Sequence, residues 1–520
     1  MSDDFIPRTR ILYIRHPRLT EIPEALRLNQ DEWWETTAML ADSTLMTGDF
    51  DLDEVCDRVQ PDLIVYESPG LDTADVKIAN WSSHPHIPRI AFFMQDPQDG
   101  ARIPFLRLVE KLDIRWWFTH LGEAFIRQSP EFAGRMFSVS LLVDDALFHD
   151  RALPKDIPVS VVGGLISPKF YHWRATTVPQ FFDHFSTMVY THPGYQHPVP
   201  AYKFAVMGEE YAKALSRSYF SVADSTRLDY LVRKHLEIPA AGSVLVAPDT
   251  AVLRPYGFSD MENCVLGEGK ELIGKMAAVL ENPALYEIIR KNGHDLVHQR
   301  YTRKNWRWFL DFLLCLRGLG PGETVQQQGI LGRFAAVPDS GNVHAISGPI
   351  AGSDYSHYMK RAWQLIVEGD LTQAQAILAE IASWVAHMSE PYLLLALCKM
   401  LQGNLAEARD LLLMPLTIRR QRNRTEEIDP EEIAWMLILG SLSGEQALYD
   451  AAFRAAAGVE HLSLRRVGWL LTAGIDIGAI PDNVQTRQPN DVTSIHWVSQ
   501  SDVAHWLGLM TRIFQANGKA

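Results

Sequence analysis

The chain has 520 residues and a formal net charge of −14; 47% of its residues are hydrophobic and 22% are charged. That length exceeds what one hydrophobic core holds, so two to four domains are expected, and the composition is that of an ordinary globular protein. The acidic balance argues against general binding of nucleic acid or of an anionic membrane surface.

The first 155 residues alternate short apolar runs with polar, helix-like segments. Apolar runs at helix-length intervals indicate a parallel sheet with helices on both faces. Polar residues at the carboxyl ends of such strands line the ligand crevice of an open α/β sheet. The predicted strands are ILYIRH, DLIVYES, RIAFFMQD, RWWFTHL and MFSVSLLVDD, and the polar residues in those places are His16, Glu67, Gln95, Asp96 and His120.

A second series of the same kind covers residues 156–320. Its strand candidates are IPVSVVGG, SYFSVADS, GSVLVAP and ENCVLG, with helix-like segments between and after them. We therefore predict two consecutive Rossmann-like α/β domains of similar size, over residues 1–155 and 156–320. The apolar-faced helix in YTRKNWRWFLDFLLCLRGL is expected to close the second domain.

Residues 321–352 are rich in Gly, Pro and Ser and are predicted to be a linker. Beyond them, over residues 353–520, the strand signal disappears and Ala and Leu recur at helical spacing, so an all-α domain is expected.

This last domain contains a repeat, because AWQLIVEGDLTQAQAIL and ALCKMLQGNLAEARDLL align without gaps. Gly369 and Gly403 stand 34 residues apart in that alignment. The period and the small-residue positions resemble a tetratricopeptide repeat, which implies a concave surface for a protein partner. A degenerate third copy is expected near residues 434–457, and a plain helical bundle is the alternative. The other aligned pairs are Ala362 with Ala396, Leu371 with Leu405, Ala374 with Ala408, and Leu378 with Leu412.

The stretch YLVRKHLEIPAAG places Glu237 just before a corner at residues 239–242. In a crevice between two α/β domains, a carboxylate there can accept hydrogen bonds from paired hydroxyls such as those of a ribose. Gly242 would let the backbone come close to a ligand. The alternative is that Glu237 pairs locally with Arg233 or Lys234.

The segment HLEIPAAGSVLVAP resembles one in nucleotide-sugar glycosyltransferases of the two-Rossmann GT-B architecture, closest to the group-1 and CgeB-like branch. Other segments agree in order and spacing. VSLLVDDALFHD resembles the junction of the two domains, IPVSVVGGLISPK the first donor-domain strand, and the run from ENCVLG to NWRWFLDFL the family's tail. The resemblance covers about residues 136–316, and the first domain matches only in architecture.

The resemblance implies that Glu237 holds the nucleotide ribose and that Asp229, eight positions earlier, lies nearer the transferred sugar. Group-1 members usually have Glu at the position of Asp229. They also have an Arg where this chain has Gly164, whereas Lys169 matches their diphosphate-binding Lys.

A leaving diphosphate needs a cation somewhere, because negative charge accumulates on it in the transition state. Gly163 and Gly164 are expected to offer backbone N–H groups to phosphate, or else form a simple tight turn. The candidate cations are Lys169, Arg174, Lys213 and Arg217.

Two further residues belong to the predicted site. Asp96 would bind acceptor hydroxyls or act as a general base, unless it only forms the turn before Pro97. His192 would line the donor pocket together with Tyr195. We expect no metal ligands among the proline-interleaved histidines, because no third fixed ligand stands nearby.

The D-x-D triplets over residues 49–53 are interpreted as a solvated helix N-terminus. The four cysteines are isolated, without a C-x-x-C pair, so neither a disulfide framework nor a zinc site is expected. The N-terminus lacks the apolar core of a signal peptide, and no run reaches the roughly 18 apolar residues of a membrane span. A cytoplasmic protein is therefore expected.

Together these patterns predict a GT-B glycosyltransferase followed by an all-α repeat domain. It would move a sugar from a UDP-, GDP- or dTDP-sugar to a protein or glycan acceptor, without a metal or a tightly bound cofactor. Retention at the anomeric carbon follows by analogy with the group-1 branch. The alternatives are a non-catalytic binding protein of the same shape, favoured by Gly164 and Asp229, and a nucleotide-sugar epimerase.

Overall fold

The structure is a computed structural model. It describes residues 8–15, 24–67, 77–93, 96–98, 102–163, 169–191, 205–350, 352–384, 388–421, 428–473, 480–488, 491–496 and 501–518.

The first unit is a parallel sheet whose described strands follow the order β2-β1-β4-β6-β7-β8. All the strands predicted here are confirmed, and the structure adds β2 at the sheet edge. Apolar clusters cover both faces of the sheet, which is why its central strands are continuously apolar. The elements are β1 (Arg10–Arg15), α1 (Glu24–Leu40), β2 (Asp42–Thr47), β3 (Phe50–Asp51), α2 (Leu52–Val59), β4 (Leu63–Glu67), β5 (Ile78–Ala79), β6 (Arg89–Phe92), α3 (Arg102–Lys111), β7 (Trp116–Thr119), α4 (Gly122–Gln128) and β8 (Met136–Ser138).

The second unit is also a parallel sheet, with the described strands in the order β10-β9-β11-β12-β13. The predicted strands are again confirmed, and β10 is the added edge strand. Apolar clusters pack on both faces of this sheet as well. The elements are β9 (Ile157–Val162), α5 (His172–His184), β10 (Thr187–Tyr190), α6 (Gly208–Arg217), β11 (Ser218–Val222), α7 (Lys234–Ala240), β12 (Val244–Ala247), β13 (Val265–Leu266), α8 (Gly269–Glu281) and α9 (Pro283–Arg300).

Helix α10 (Trp308–Arg317) follows the second unit in sequence but packs against the first. The ring of Phe312 lies 5.0 Å from that of Phe118 and 5.5 Å from that of Phe137, both on the first sheet. Just before the helix, Trp306 Nε1 donates a hydrogen bond to Ser140 O at 2.8 Å. The helix that was expected to close the second unit therefore ties the two units together instead.

The predicted linker is partly ordered as an antiparallel hairpin of β14 (Glu323–Gln327) and β15 (Phe334–Pro338). The buried amide of Gln327 binds the backbone of Ser138 twice, accepting from its N–H at 2.9 Å and donating to its carbonyl at 2.8 Å. The hairpin is therefore docked on the end of β8 and belongs to the first unit.

The last part of the described chain is helical, and the predicted repeat is confirmed. Consecutive helices pack in pairs, and the first helix of each pair ends at a glycine of positive φ: Gly369 (+91°), Gly403 (+76°) and Gly444 (+73°). The third pair, α15 with α16, is the expected degenerate copy. The elements are α11 (Asp354–Glu368), α12 (Leu371–Trp384), α13 (Ser389–Leu401), α14 (Leu405–Gln421), α15 (Pro430–Ser443), α16 (Gln446–Ala456), α17 (Leu462–Ala473), α18 (Asp482–Gln485) and α19 (Val503–Ala516).

Helix α19 lies across the first helices of two repeats, α11 and α13. Arg512 Nη1 donates to Ile366 O at 3.1 Å, and Asn517 Nδ2 donates to Met400 O at 2.9 Å. The apolar side of α19 is buried in the repeat core. The chain itself therefore covers this part of the surface of the repeats.

Within the described residues, none of the helices combines the length and the apolar character that crossing a lipid bilayer would require.

Candidate functional site

A charged cluster lies at the carboxyl edge of the second sheet. Gly163 follows β9 with φ +140°, and a Cβ placed on it would lie 2.8 Å from both Arg174 Nη1 and Lys234 Nζ. Arg174, on α5, pairs with Asp224, which follows β11. Lys234 opens α7 and donates to the carbonyl of Val162. The ends of β9 and β11 and the helices α5 and α7 thus bring these groups together.

The cluster holds two cations, Arg174 and Lys234, and the carboxylates near Lys234 are those of Asp224 and Glu237. Burial, followed by the nearby charge of Arg174, lowers the pKa of Lys234 to about 8. Burial also raises the pKa of Asp224, although the charge of Arg174 opposes that shift. Two cations this close in a buried place cost free energy that an anionic ligand would recover. The two adjacent cations would favour an anionic ligand at this edge.

Glu237 lies on α7, one turn beyond Lys234, and is buried. Its Oε2 accepts from the Tyr211 hydroxyl at 3.1 Å, and its Oε1 accepts from Arg233 Nε at 3.0 Å. Arg233 Nη1 also lies 2.6 Å from Oε2 of Glu32, on α1 of the first unit. Glu237 therefore stands at the seam between the units, and the local pairing with Arg233 that the sequence left open is present.

Asp229 lies in the loop after β11 and has a left-handed φ of +54°. It lines a small pocket together with His120 and Glu123 of the first unit. Burial, followed by the charge of Asp354, raises the pKa of Asp229 to about 6, and Arg127 opposes the shift. The residues that line the pocket are His120, Leu121, Glu123, Ala124, Ser138, Asp229, Tyr230, Leu231, Val252, Tyr256 and Ile330. Glu237 lies outside this pocket.

Arg217 and Gly242 lie at the opposite, amino edge of the second sheet. Arg217 is exposed and makes an ion pair with Asp156, directly before β9. Gly242 precedes β12 with φ +81°, and a Cβ there would meet Asp150 Cγ at 2.8 Å. The close approach predicted at Gly242 is thus made by a side chain of the protein. Neither residue reaches the charged cluster, because a parallel sheet places its ligand crevice at the carboxyl ends of the strands.

The remaining predicted cations point elsewhere. Lys169 Nζ lies 3.0 Å from Ser383 Oγ and 3.6 Å from Glu380 Oε2, so it binds the helical domain. Lys213 is exposed on α6 and pairs with Glu210 at 3.0 Å.

Asp96 is half-buried beyond the end of β6, and two residues later Gln98 accepts a hydrogen bond from Tyr230, beside Asp229. The loop that carries Asp96 therefore reaches the Asp229 loop. Gly164 and His192 lie outside the described residues.

Comparison with known families finds a match for the second unit. Residues 151–310 match a family model described as glycosyl transferase-like. We refer to this part of the chain as the glycosyl transferase-like domain, after the model that it matches. Residues 365–423 match a tetratricopeptide-repeat model, over the helices where the repeat was predicted. The predicted GT-B-like fold class, with helical repeats after two parallel-sheet units, is confirmed.

Several solved structures are similar to the chain at low identity. Sucrose-phosphate synthase from Thermosynechococcus elongatus is 11% identical, with 59% of this chain and 98% of that chain covered and a TM-score of 0.40. An α-glucosyltransferase in complex with UDP and DNA is 12% identical, with 59% and 100% covered and a TM-score of 0.38. The pneumococcal O-GlcNAc transferase GtfA, in complex with UDP and GlcNAc, is 8% identical, with 48% and 57% covered and a TM-score of 0.31. The search of the curated proteins found no match.

Some residues of the glycosyl transferase-like domain were missed by reasoning from the sequence. The sequence indicates Lys234 only as a local partner of Glu237 and gives no role to Asp224. The segment SYFSVADS places Asp224 just beyond a predicted strand, so the rule that selected Asp96 would also have selected Asp224. Nothing in the sequence indicates that Arg174 and Lys234 meet at Gly163, because that contact depends on how α5 and α7 pack.

The helical domain holds the Asp229 loop of the glycosyl transferase-like domain. The guanidinium of Arg227 lies 4.4 Å from the ring centroid of Trp384, and the backbone N–H of Tyr355 donates to Arg227 O at 3.2 Å. Leu228 and Tyr230 are buried in the core of the repeats. The conformation of this loop therefore depends on the helical domain.

We expect Gly163→Ala to weaken anion binding and to lower the melting temperature. An L-residue at φ +140° costs about 1–3 kcal/mol, and its Cβ would push Arg174 and Lys234 apart. The matched control is Gly274→Ala in α8, where a Cβ meets nothing within 4 Å. It should raise stability by about 0.5–1 kcal/mol through helix propensity. Equal melting temperatures and equal nucleotide affinities for the two variants would contradict the proposed role of Gly163.

Proposed function

We propose that the chain is a glycosyltransferase that moves a sugar from a nucleotide-sugar donor to an acceptor. One observation carries the proposal: Arg174 and Lys234 converge on Gly163 at the ligand edge of a glycosyl transferase-like domain. These two cations would bind the donor diphosphate, and Glu237, one helical turn away, would bind the ribose hydroxyls. The acceptor would dock against the first unit, near the loop that carries Asp96.

In the proposed reaction the bond between the anomeric carbon and the diphosphate oxygen breaks, and the anomeric carbon forms a bond to the oxygen of an acceptor hydroxyl. The proton of that hydroxyl would pass to Asp96 as the general base. The leaving diphosphate gains negative charge, which Arg174 and Lys234 would stabilise in a site shielded from water. Because side chains supply this charge, we propose that no metal ion is needed. Asp229 would lie near the sugar, and retention is proposed by analogy with the group-1 branch.

The finer assignments are also proposals. The donor would be a UDP-, GDP- or dTDP-sugar, and UDP is the first nucleotide to test because two of the similar structures contain it. The acceptor would be a protein or a glycan, and the repeats would bind a protein partner in the cytoplasm. Placement in the CgeB-like branch depends on the sequence segments quoted above.

The test is a thermal-shift screen with UDP, GDP, dTDP and CDP, followed by an assay of nucleotide release from the matching sugar donors. A ligand that binds only the native state raises the melting temperature, so at least one nucleotide should do so. Slow donor hydrolysis is expected, and it should be abolished in Glu237→Ala. No shift with any of the four nucleotides would overturn the proposal.

The affinity for the nucleotide should fall as the pH rises above about 8. Lys234 has a pKa of about 8 in the free protein, and a bound diphosphate favours its charged form. Below pH 8 the lysine is already charged, whereas above it a proton must be taken up on binding. The dissociation constant should then rise by up to about tenfold per pH unit, since a phosphate ester itself is ionised throughout this range. Titrations of UDP between pH 7 and 9.5 measure this, and a flat profile would contradict the assignment of Lys234.

A second candidate function is a non-catalytic binding protein of the same shape. The observation that favours it is that each oxygen of Glu237 already has a protein partner, Tyr211 or Arg233. If the chain bound a nucleotide tightly but turned over no sugar donor with any acceptor, this function would be favoured over sugar transfer.

A further inference from the structure

Arg233 is shared between two buried carboxylates from different units. Its Nε donates a hydrogen bond to Oε1 of Glu237 at 3.0 Å, and its Nη1 lies 2.6 Å from Oε2 of Glu32. Burial raises the pKa of Glu32 and the two carboxylates raise the pKa of Arg233 far above its usual value. One guanidinium is thus shared by two carboxylates that are both withdrawn from water, and Lys234 is a second cation near Glu237.

The pairing of Arg233 with Glu32 is incomplete. Among the described residues, Oε1 of Glu32 and Nη1 of Arg233 are both buried without a hydrogen-bond partner, although the two side chains form an ion pair. The Tyr211 hydroxyl donates the second hydrogen bond to Glu237. Asp144 adds a further negative charge near Glu32. A ligand that brings hydroxyl donors would therefore stabilise this set of carboxylates.

A second ion pair holds the same seam but does not involve Glu237. Glu35, one turn along α1 from Glu32, pairs with Arg303 of the second unit, and Arg303 Nε also contacts Thr36 Oγ1 at 3.4 Å. The seam therefore contains one pair that involves Arg233 and Glu237 and one that contacts neither of them, although Arg303 also lies 4.0 Å from Asp144.

We propose that Arg233 is a positioning residue that makes Glu237 available to the ribose by transferring its own interaction to Glu32. This inference rests on the proposed function. When ribose hydroxyls donate hydrogen bonds to Glu237, they replace the hydrogen bond that Arg233 donates to it. The guanidinium then pairs more closely with Glu32. Glu32, a residue of the first unit, thereby sets how much more tightly the second unit binds a nucleotide that has ribose hydroxyls than one that lacks them.

The test compares UDP with 2′,3′-dideoxy-UDP in wild type, Glu32→Gln and the matched control Glu35→Gln. Without the charge of Glu32, Arg233 remains on Glu237 and competes with the ribose. The preference of Glu32→Gln for UDP over the dideoxy compound should fall by about tenfold, the size of one charge-assisted hydrogen bond. Glu35→Gln should keep the wild-type preference, because it breaks a seam ion pair without touching Arg233.

Arg233→Lys gives an independent kinetic readout. A single ammonium group cannot serve both carboxylates in the geometry of a guanidinium. The KM for the donor should rise more than kcat falls, because the change affects ribose binding rather than the leaving diphosphate.

Unchanged ribose preference in Glu32→Gln, with UDP still bound, would overturn this inference and leave the proposed function standing. An equal loss in Glu35→Gln would also overturn it, since a general weakening of the seam would then be the cause. Failure of UDP, GDP, dTDP and CDP to bind the wild type would overturn both.

Discussion

Lys234→Met is expected to lower the rate of sugar transfer by about 100- to 1000-fold, the usual effect of removing one group that stabilises a charged transition state. Methionine preserves the length of the side chain but removes the ammonium group that lies beside Gly163 and Arg174. The remaining Arg174 is already engaged with Asp224, so it cannot fully replace the lost charge on the leaving diphosphate. Turnover of the donor identified in the nucleotide screen measures the effect.

The same substitution should leave the fold intact. Burial and the charge of Arg174 make the protonated form of Lys234 costly, so its removal is expected to keep or raise the melting temperature. The matched control is Lys213→Met on α6, an exposed lysine that pairs with Glu209 and Glu210. If Lys213→Met lost as much activity as Lys234→Met, the assignment of the diphosphate to this cluster would be wrong.

The sequence predicted the buried strands, including the edge strands β8 and β13, but not the half-exposed edge strands β2 and β10. The central strands of the two sheets are covered by apolar clusters on both faces, so they are mostly apolar and easily recognised. Strands β2 and β10 each have one neighbour, and their residues are mostly half-exposed, so their sequences DSTLMT and TMVY resemble loops. The β14–β15 hairpin was missed for a related reason, since its buried Gln327 bonds to backbone rather than to an apolar core.

The candidate site was only partly predictable. The strand-end rule and the family resemblance locate the seam, and Glu237 and Asp229 are found near it. The pairing of Glu237 with Arg233 follows from their spacing of four residues along the chain. The contacts of Tyr211 with Glu237 and of Glu32 with Arg233 join distant parts of the chain, and no spacing indicates them. Lys169 is the opposite case, because the family resemblance predicts a role for it that its contacts do not fit. It matches the diphosphate-binding Lys of the group-1 branch, but its ammonium group binds α12 of the helical domain.

Asp229→Asn is expected to make the protein more stable at neutral pH and less active as a transferase. The pKa of Asp229 is raised from an ordinary 3.8 to about 6, mainly by burial and then by Asp354. The native state therefore binds more protons than the unfolded state between about pH 4 and 6, so stability is lost as the pH rises through that window. Above pH 6 the ionised carboxylate carries the full cost, and asparagine removes it.

Asparagine suits this position in other respects. It tolerates the left-handed φ of +54°, and its side-chain oxygen can still accept the backbone N–H of Asp354, as the carboxylate does. We expect a gain of about 1 kcal/mol at pH 7, discounted for the partial exposure of the group. The gain should vanish below about pH 4, where aspartate is protonated in both the native and the unfolded state. Chemical denaturation at pH 4 and pH 7 measures the difference.

The activity of the wild type should show an acid limb near pH 6, if the ionised form of Asp229 acts at the sugar. Asp354→Asn is the decisive companion variant, because it removes the neighbouring charge while leaving Asp229 in place. It should lower the pKa of Asp229 and move the acid limb to lower pH. An unmoved limb, or an Asp229→Asn protein less stable than wild type at pH 7, would contradict this account.

A carboxylate that destabilises the fold at the pH of use, in a strained backbone conformation, is expected where the charge serves the reaction. Because Asp354 begins α11, the helical domain would then set the protonation of a group in the transferase site as well as the conformation of its loop.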